Sequence, residues 1–174
     1  MRYLIVSRQN GFGLDHDVRI LKRALAGIGV EAEAARPRDR GLLDRLRGRP
    51  AADRIIHVER VHARWLNAAP EHFVIPNQER FPPRQLRALA RVDRVLAKTR
   101  HARSIFTGLG LPTTYLGFTT EDCRRTEIAK DWSQCLHVAG RSTMKGTEDL
   151  IALWARHPEW PQLTVVQDPS RPEP

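Results

Sequence analysis

Tyr3-Leu-Ile-Val-Ser7 is a short apolar run, followed by a polar loop with two glycines over 8–14 and by apolar residues at helical spacing over 16–28. Val18, Leu21 and Leu25 belong to that spacing, which is typical of one buried helix face. Asp15 or Asp17 is placed to cap the helix. A buried strand that leads through a glycine loop into an amphipathic helix predicts the first unit of an α/β sheet.

The same alternation of strand and helix continues as far as residue 118. The pattern predicts further strands over 30–35, 54–58, 72–76, 93–98 and 113–116, with helices over 42–46, 84–91 and 99–109. Strands that alternate with helices of this length form a parallel sheet covered by helices on both faces. The fold class that we predict for residues 1–118 is therefore α/β, with a Rossmann-like parallel sheet.

A second, shorter unit follows a polar segment over 119–134 that we interpret as a linker. A strand over 135–139, a helix over 146–157 and a strand over 163–167 predict a β-α-β unit within 135–168, followed by a disordered tail over 169–174. One strand–helix–strand cannot bury both faces of its sheet. We therefore expect this unit to be the incomplete beginning of a second domain.

The composition is that of a globular protein, with 41% hydrophobic and 28% charged residues. No stretch approaches the roughly 20 apolar residues that a membrane span needs, and no cleavage site of a signal peptide follows the N-terminal apolar run. The two cysteines, Cys123 and Cys135, match no metal or redox motif, and we interpret both as packing residues. These features predict a cytoplasmic protein.

The formal net charge of +9 comes almost wholly from arginine, since lysine occurs only at positions 22, 98, 130 and 145. Such a charge fits either a solvated surface or a functional basic face for nucleic acid, anionic lipid headgroups or phosphorylated substrates. We interpret the arginine-rich segment 36–49 as a solvated face. Contact with an anionic membrane would place the protein at the inner membrane face.

The most specific motif is His137-Val-Ala-Gly-Arg-Ser-Thr-Met-Lys-Gly-Thr147. A strand runs into Gly140 and Arg141, and Lys145 and Gly146 precede a helix whose N-terminal amides favour anions. Arginine adds a bidentate fork and lysine a point charge. The motif fits a diphosphate site, although two surface cations beside an ordinary turn would give the same pattern.

Residues 139–151 resemble the segment that opens the C-terminal domain of GT-B glycosyltransferases, in the large group with retaining sugar-nucleotide enzymes. The resemblance implies that Arg141, Lys145 and Gly146 bind the donor diphosphate. It also implies that residues 1–118 are similar to the acceptor-side domain and 135–168 to the first part of the donor domain. A nucleotide-diphosphate sugar would be a co-substrate, with no cofactor and no metal.

The loop Asn10-Gly-Phe-Gly-Leu-Asp-His-Asp17 is placed where ligands bind at the carboxyl ends of parallel strands. GT-B enzymes similarly have a glycine-bearing loop here, which implies that Gly11 and Gly13 approach the donor phosphate. His16 or Asp15 is our candidate general base for an acceptor hydroxyl. The alternative is that the aspartate caps the helix and that His16 is a surface residue.

Asn77, Gln78 and Glu79 follow another predicted strand and are our candidate acceptor-binding residues, although polar residues at strand ends are also ordinary turn residues. Lys98 follows a further strand at the same edge, and we expect Thr99 to cap a helix. We interpret His57, His62, Trp154 and Trp160 as structural residues.

The sequence thus predicts a glycosyltransferase, or part of a split one, that transfers a sugar from a nucleotide-sugar donor to the hydroxyl of a sugar, a lipid-linked or another acceptor. A separate donor-domain chain or a second copy of this chain would be its partner. Two alternatives stay open, a non-catalytic interaction domain and a basic nucleic-acid-binding module.

Overall fold

The computed structural model describes residues 1–8, 11, 13–140 and 145–168 of the chain. It divides into two compact units, Met1–Glu121 and Asp122–Pro174. The division falls inside the segment 119–134. The predicted tail 169–174 lies outside the described residues.

The first unit is built on a six-stranded, wholly parallel sheet, as the alternating pattern predicted. Its strands are β1 (Tyr3–Val6), β2 (Ala32–Ala35), β3 (Arg54–Glu59), β4 (Glu71–Pro76), β5 (Arg94–Ala97) and β6 (Thr113–Tyr115). Their order is β2-β1-β3-β4-β5-β6. From β1 the chain adds β2 on one side, and it then crosses over to add β3 to β6 on the other side. The gap between β1 and β3 is therefore the topological switch point of the sheet.

The connections of this unit are helical. They are α1 (Gly13–Gly27), α2 (Leu42–Leu46), α3 (Leu86–Leu89) and α4 (Arg100–Gly108), with 3₁₀ turns at Ala63–Trp65, Gln78–Arg80 and Pro83–Gln85. The sequence pattern predicted none of the 3₁₀ turns. The predicted cap of α4 is confirmed, since the Thr99 hydroxyl accepts a hydrogen bond from the Ala102 N–H at 3.0 Å.

Helix α1 begins at Gly13 and not at His16, so the predicted loop 8–14 is shorter than expected. The Asp15 carboxylate accepts a hydrogen bond from the Gly11 N–H at 2.6 Å. Because Gly11 precedes the helix, this contact connects the loop after β1 to the first turn of α1.

Alternating side chains of the strands form cores on the two faces of the sheet. Ile5, Ile56 and Val58 pack with Val18 and Leu21 of α1. The opposite face packs against the 3₁₀ turn at Ala63–Trp65 and against α3 and α4, through a second set: Leu4, Val6, Ile55, Trp65, Val74, Leu89, Val95 and Phe106. Burial of each large apolar side chain contributes about 1.5–3 kcal/mol. Helices therefore cover both faces.

The second unit is a β-α-β unit with β7 (Gln134–Gly140), α5 (Thr147–Trp154) and β8 (Gln162–Gln167), and its two strands are parallel. Ala139 is buried, whereas Leu136 and Val138 are 66% and 54% exposed. The rings of Trp154 and Trp160 meet edge to face at 4.9 Å, and the Trp154 indole donates to the Pro161 carbonyl at 2.7 Å. One face of this small sheet is therefore exposed and apolar.

The interpretation of segment 36–49 as a solvated face is wrong at Arg40, which is only 4% exposed. Its guanidinium donates to the carbonyl oxygens of Arg64, Arg49 and Asn67 at 3.2, 3.4 and 3.3 Å. Three backbone acceptors can replace the water that this cation loses on burial, because a guanidinium carries several donors in a fixed fork. Arg40 thus connects three loops.

Cys123 is exposed and Cys135 half-buried, so the expectation that both are packing residues is wrong for Cys123. Its polar surroundings in 119–134 offer no apolar core to join.

Among the described residues, no helix combines the length and the apolar character that crossing a lipid bilayer requires.

Candidate functional site

A cavity of about 410 Å³ lies at the carboxyl edge of the sheet in the first unit. Four parts of the chain supply its polar lining, at the start of α1 and at the ends of β3, β4 and β5: Gly13, Asp17, Glu59, Asn77, Gln78, Glu79, Lys98 and Thr99. Ligands of open parallel sheets bind at this edge, near the switch point. We call this cavity the acidic cavity, after its three carboxylates.

A cavity of about 490 Å³ lies at the opposite edge, beside Arg2, Glu31 and Asp53. It is larger, but it lies at the amino ends of the strands, where parallel sheets do not place their ligand sites. Its charged side chains come from residues at or near the starts of β1, β2 and β3, and from Lys22 of α1. We therefore interpret the acidic cavity as the functional one.

Lys98 and Asp17 form an ion pair at 2.5 Å, with side chains 30% and 17% exposed. The Lys98 ammonium also lies 4.3 Å from the centroid of the Phe118 ring. The pair connects the end of β5 to the first turns of α1. Sequence reasoning considered Asp17 only as a helix cap, because nothing in the local pattern shows that a lysine far along the chain meets it.

Glu59 is the one residue other than glycine with a positive φ, 71°, among the described part of the chain. Its carboxylate pairs with Arg60 at 3.2 Å, and its carbonyl accepts a hydrogen bond from the Asn77 N–H at 3.2 Å. A left-handed conformation costs a bulky residue on the order of 1 kcal/mol or more. Strain of this kind is characteristic of functional positions, and sequence reasoning missed this one.

The predicted acceptor residues Asn77, Gln78 and Glu79 all line the acidic cavity. They begin the 3₁₀ turn that leaves β4, and the Glu79 side chain is exposed. The structure thus brings this predicted group together with Glu59 and Lys98, which come from neighbouring strands.

The predicted base His16 is not part of the lining of the acidic cavity. Its Nε2 lies 3.0 Å from the Thr120 hydroxyl, and its Nδ1 accepts a hydrogen bond from the Arg19 guanidinium at 3.3 Å. Both ring nitrogens therefore have partners. The Asp15 carboxylate accepts a hydrogen bond from the Gly11 N–H, and Asp15 is not part of the lining either. Of the predicted loop residues, Gly13 does line the acidic cavity.

In the second unit, two glycines of the predicted diphosphate motif, Gly140 and Gly146, have positive φ values of 56° and 62°. Lys145 Nζ donates to the Val138 carbonyl at 2.7 Å, and Gly146 caps α5. Arg141 lies outside the described residues, so the predicted Arg141–Lys145 pair is not described. Glu148 and Asp149 in the first turn of α5 add negative charge there.

Three buried histidines lie close together: His57 in β3, His62 in the loop after it and His72 in β4. The His62 N–H donates to His57 Nδ1 at 3.2 Å, and His57 Nε2 lies 3.1 Å from His72 Nδ1. Because Nδ1 of His57 is an acceptor, its Nε2 carries the proton and donates to His72, whose own Nε2 donates to the Ala69 carbonyl at 3.0 Å. Burial lowers the pKa of all three imidazoles, that of His62 to about 4. They are neutral structural groups at neutral pH.

Strand order and cavity position are shared by many parallel α/β proteins, so they define a fold class and leave the function to be argued from the side chains. In comparisons with protein-family models, with curated proteins and with solved structures, no family model, protein or structure matches the chain.

Proposed function

We propose that the chain takes part in transferring a sugar from a nucleotide-diphosphate sugar to a hydroxylated acceptor, and that the acidic cavity binds the acceptor. The observation that carries the proposal is the convergence of Asp17, Glu59, Asn77, Glu79 and Lys98 on one cavity at the carboxyl edge of the sheet. Polar groups from several strand ends are the usual construction of a small-molecule site in this fold class.

The chemistry of the lining suits a polyhydroxylated ring. Each hydroxyl of such a ring is both a donor and an acceptor. Carboxylates of Glu59 and Glu79 accept, the Lys98 ammonium donates, and the amides of Asn77 and Gln78 do both. Apolar atoms of Leu14, Val58 and Ile75 also line the cavity and give the carbon-bound face of a sugar a surface to contact.

We assign the role of general base to Glu59. Its carboxylate would take the proton of the acceptor hydroxyl, while that oxygen forms a bond to the anomeric carbon and the bond from that carbon to the diphosphate breaks. The nucleotide diphosphate leaves with the bonding electron pair. His16, the base expected from the sequence, is less suited because Arg19 donates to one of its ring nitrogens and Thr120 binds the other.

The donor diphosphate is assigned to the second unit. Gly140 and Gly146 give its backbone left-handed turns that bring N–H groups close to a ligand, and Lys145 supplies a cation. Glu148 and Asp149 oppose an anion there, so the proposal needs the charge of Lys145 and of Arg141. Stabilisation of the charge that develops on the leaving diphosphate would be the main catalytic contribution.

Amide NMR of the whole chain tests both assignments. We would titrate it with UDP-glucose, with GDP-mannose and with myo-inositol at about 10 mM, where a Kd of about 1 mM still gives near saturation. We expect myo-inositol to shift the signals of Asn77, Gln78 and Lys98, and one nucleotide sugar to shift those of Gly140 and Gly146. If none of the three probes shifts these signals, the proposal is wrong.

Two matched variants test the role of the carboxylate. Glu59→Gln should weaken myo-inositol binding several-fold and abolish transfer to any acceptor that the titrations identify. Glu33→Gln removes an equal charge from the exposed face of β2, beside the cavity at the opposite edge, and should change neither. Equal effects of both variants would contradict the assignment of Glu59.

A further inference from the structure

Beside the acidic cavity lies a second cavity of about 270 Å³ whose charged lining is arginine. It contains Arg8, Arg38, Arg60, Arg64 and Arg84, together with His62. We call it the arginine pocket, and we propose that it binds the phosphate group of an anionic ligand.

The fold gathers these arginines from four separate loops. Arg8 follows β1, Arg38 follows β2, Arg60 and Arg64 follow β3, and Arg84 follows β4. All four strands point the same way, so these loops meet at one edge, on both sides of the switch between β1 and β3. The arginines are therefore neighbours because of the topology, and they lie where the sheet places ligands.

Within the described part of the chain, carboxylates do not balance the charge of the pocket. Among the described residues, its arginines form one ion pair, between Arg60 and Glu59 at 3.2 Å. The side chains of Arg8, Arg38 and Arg84 are exposed and form no ion pair within that part of the chain. Cations packed around one concave space repel each other, and the field inside such a cleft attracts an anion.

Polar atoms in the pocket wall are also left without partners. Arg60 Nε and Gln85 Oε1 are shielded from solvent and have no hydrogen bond in the described structure. Buried donors and acceptors are nearly always satisfied. Arg40 shows the contrast, because its guanidinium donates to three backbone carbonyls and serves the fold. Among the described residues, the Arg60 guanidinium donates to the Glu59 carboxylate, so Arg60 keeps donor capacity beside the pocket that this part of the chain does not use.

Phosphate is the anion that this arrangement fits. Guanidinium groups bind phosphate oxygens bidentately, and several groups can share its oxygens. The volume, about 270 Å³, suits a phosphate or pyrophosphate with a small substituent and not a whole nucleotide sugar. The positive charge of Arg60 and Arg8 contributes, after burial, to the lowered pKa of His62, so His62 stays neutral and leaves recognition to the arginines.

The assignment does not depend on sugar transfer. The arginine pocket and the acidic cavity have separate linings, and either can bind its ligand if the other does not. Where both are occupied by one molecule, that molecule would carry a phosphate on a hydroxylated ring, and this extension alone rests on the proposed function.

The test uses the whole chain, with inorganic phosphate and inorganic pyrophosphate as probes in calorimetry and in NMR of the arginine Nε–Hε signals. We expect saturable binding of pyrophosphate that shifts the Arg60 Nε–Hε signal. The double variant Arg38→Gln/Arg84→Gln should weaken it about tenfold or more. The double variant Arg87→Gln/Arg103→Gln removes the same charge from exposed helix positions and should leave it within about twofold. Arg38 and Arg84 are exposed, so thermal unfolding should show both double variants folded.

Vesicles distinguish a soluble ligand from a lipid headgroup. We would measure sedimentation with phosphatidylcholine vesicles that contain phosphatidylglycerol or phosphatidylinositol phosphate. Vesicle binding that only the Arg38/Arg84 variant loses identifies a headgroup, and pyrophosphate binding without vesicle binding identifies a soluble phosphate. The proposal is overturned if neither pyrophosphate nor anionic vesicles bind, or if both double variants weaken that binding equally. Duplex DNA is a further probe: DNA binding that both double variants weaken equally would show that the net charge of the chain, and not the arginine pocket, attracts phosphates. Transfer activity without pyrophosphate binding would refute the pocket and leave the proposed function standing.

Discussion

Glu59 and Arg60 are consecutive residues that line different cavities, and their side chains are joined by an ion pair at 3.2 Å. Glu59 belongs to the acidic cavity and Arg60 to the arginine pocket. The left-handed backbone of Glu59 occurs at the point where β3 ends and the two linings separate. Because these opposite charges are paired, an anion bound by Arg60 or a substitution of Glu59 changes the electrostatic potential in the neighbouring cavity.

The strain at Glu59 predicts a difference between two variants. Glu59→Asn and Glu59→Gln both remove the ion pair with Arg60, which is worth about 0.2–1 kcal/mol at a partly exposed position. Asparagine adopts the left-handed conformation readily and glutamine does not. We therefore expect the asparagine variant to have the higher free energy of unfolding, by about 1 kcal/mol. Urea denaturation of the two variants measures the difference, and a glutamine variant of equal or greater stability would contradict the strain.

Much of the fold could be predicted because it depends on local pattern. Val18 lies in a segment whose helical spacing fixes which side chains face the core, and the structure places it there. Ile5 lies in an apolar run that predicts a strand buried on both faces, and Leu4, Ile5 and Val6 are all buried. Thr99 caps α4 through a contact with a residue close to it in sequence. The 3₁₀ turns were missed because they are too short to show any periodicity.

The candidate site could be predicted only where polar residues directly follow a strand, as Asn77, Gln78 and Glu79 do. Asp17 and Lys98 meet across 81 positions of sequence, so no local pattern joins them. Glu59 takes a conformation that its residue type disfavours, and the fold imposes it. Arg40 lies in an arginine-rich segment that is otherwise exposed, and the carbonyl of Asn67 that helps to bury it is distant in sequence.

Among the arginines of segment 36–49, we expect Arg40 to contribute most to the free energy of unfolding. Arg40→Met would keep much of the side-chain volume but remove the donor to the carbonyl oxygens of Arg49, Arg64 and Asn67. Hydrogen bonds of a charged group contribute about 1.5–3 kcal/mol each. We expect the free energy of unfolding to fall by about 3 kcal/mol in urea denaturation. Arg45→Ala, at an exposed position of α2, is the control and should change it by about 0.5 kcal/mol or less. Similar losses in both variants would show that Arg40 is not a structural tether.

The buried histidines predict that the first unit loses stability in mild acid. His57 Nδ1 accepts from the His62 N–H, and His72 Nδ1 accepts from His57, so a proton added at either nitrogen would face a donor. Burial lowers the pKa of each imidazole in the folded chain, whereas in the unfolded chain each titrates near about 6.5. The unfolded chain therefore binds more protons below that pH. Stability is fully present above about pH 6.5 and falls as the pH decreases towards the lowered values, about 4 for His62.

Urea denaturation between about pH 7.5 and pH 5 measures this loss. Each imidazole that is protonated only in the unfolded chain adds up to about 1.4 kcal/mol per pH unit to the slope. His57→Gln removes one of these groups and should lower the slope by up to that amount, even if it also lowers stability at neutral pH. His101→Gln removes an exposed histidine and should leave the slope unchanged. If His57→Gln and His101→Gln change the slope equally, the protons are taken up by groups other than the buried imidazoles, and the prediction is wrong.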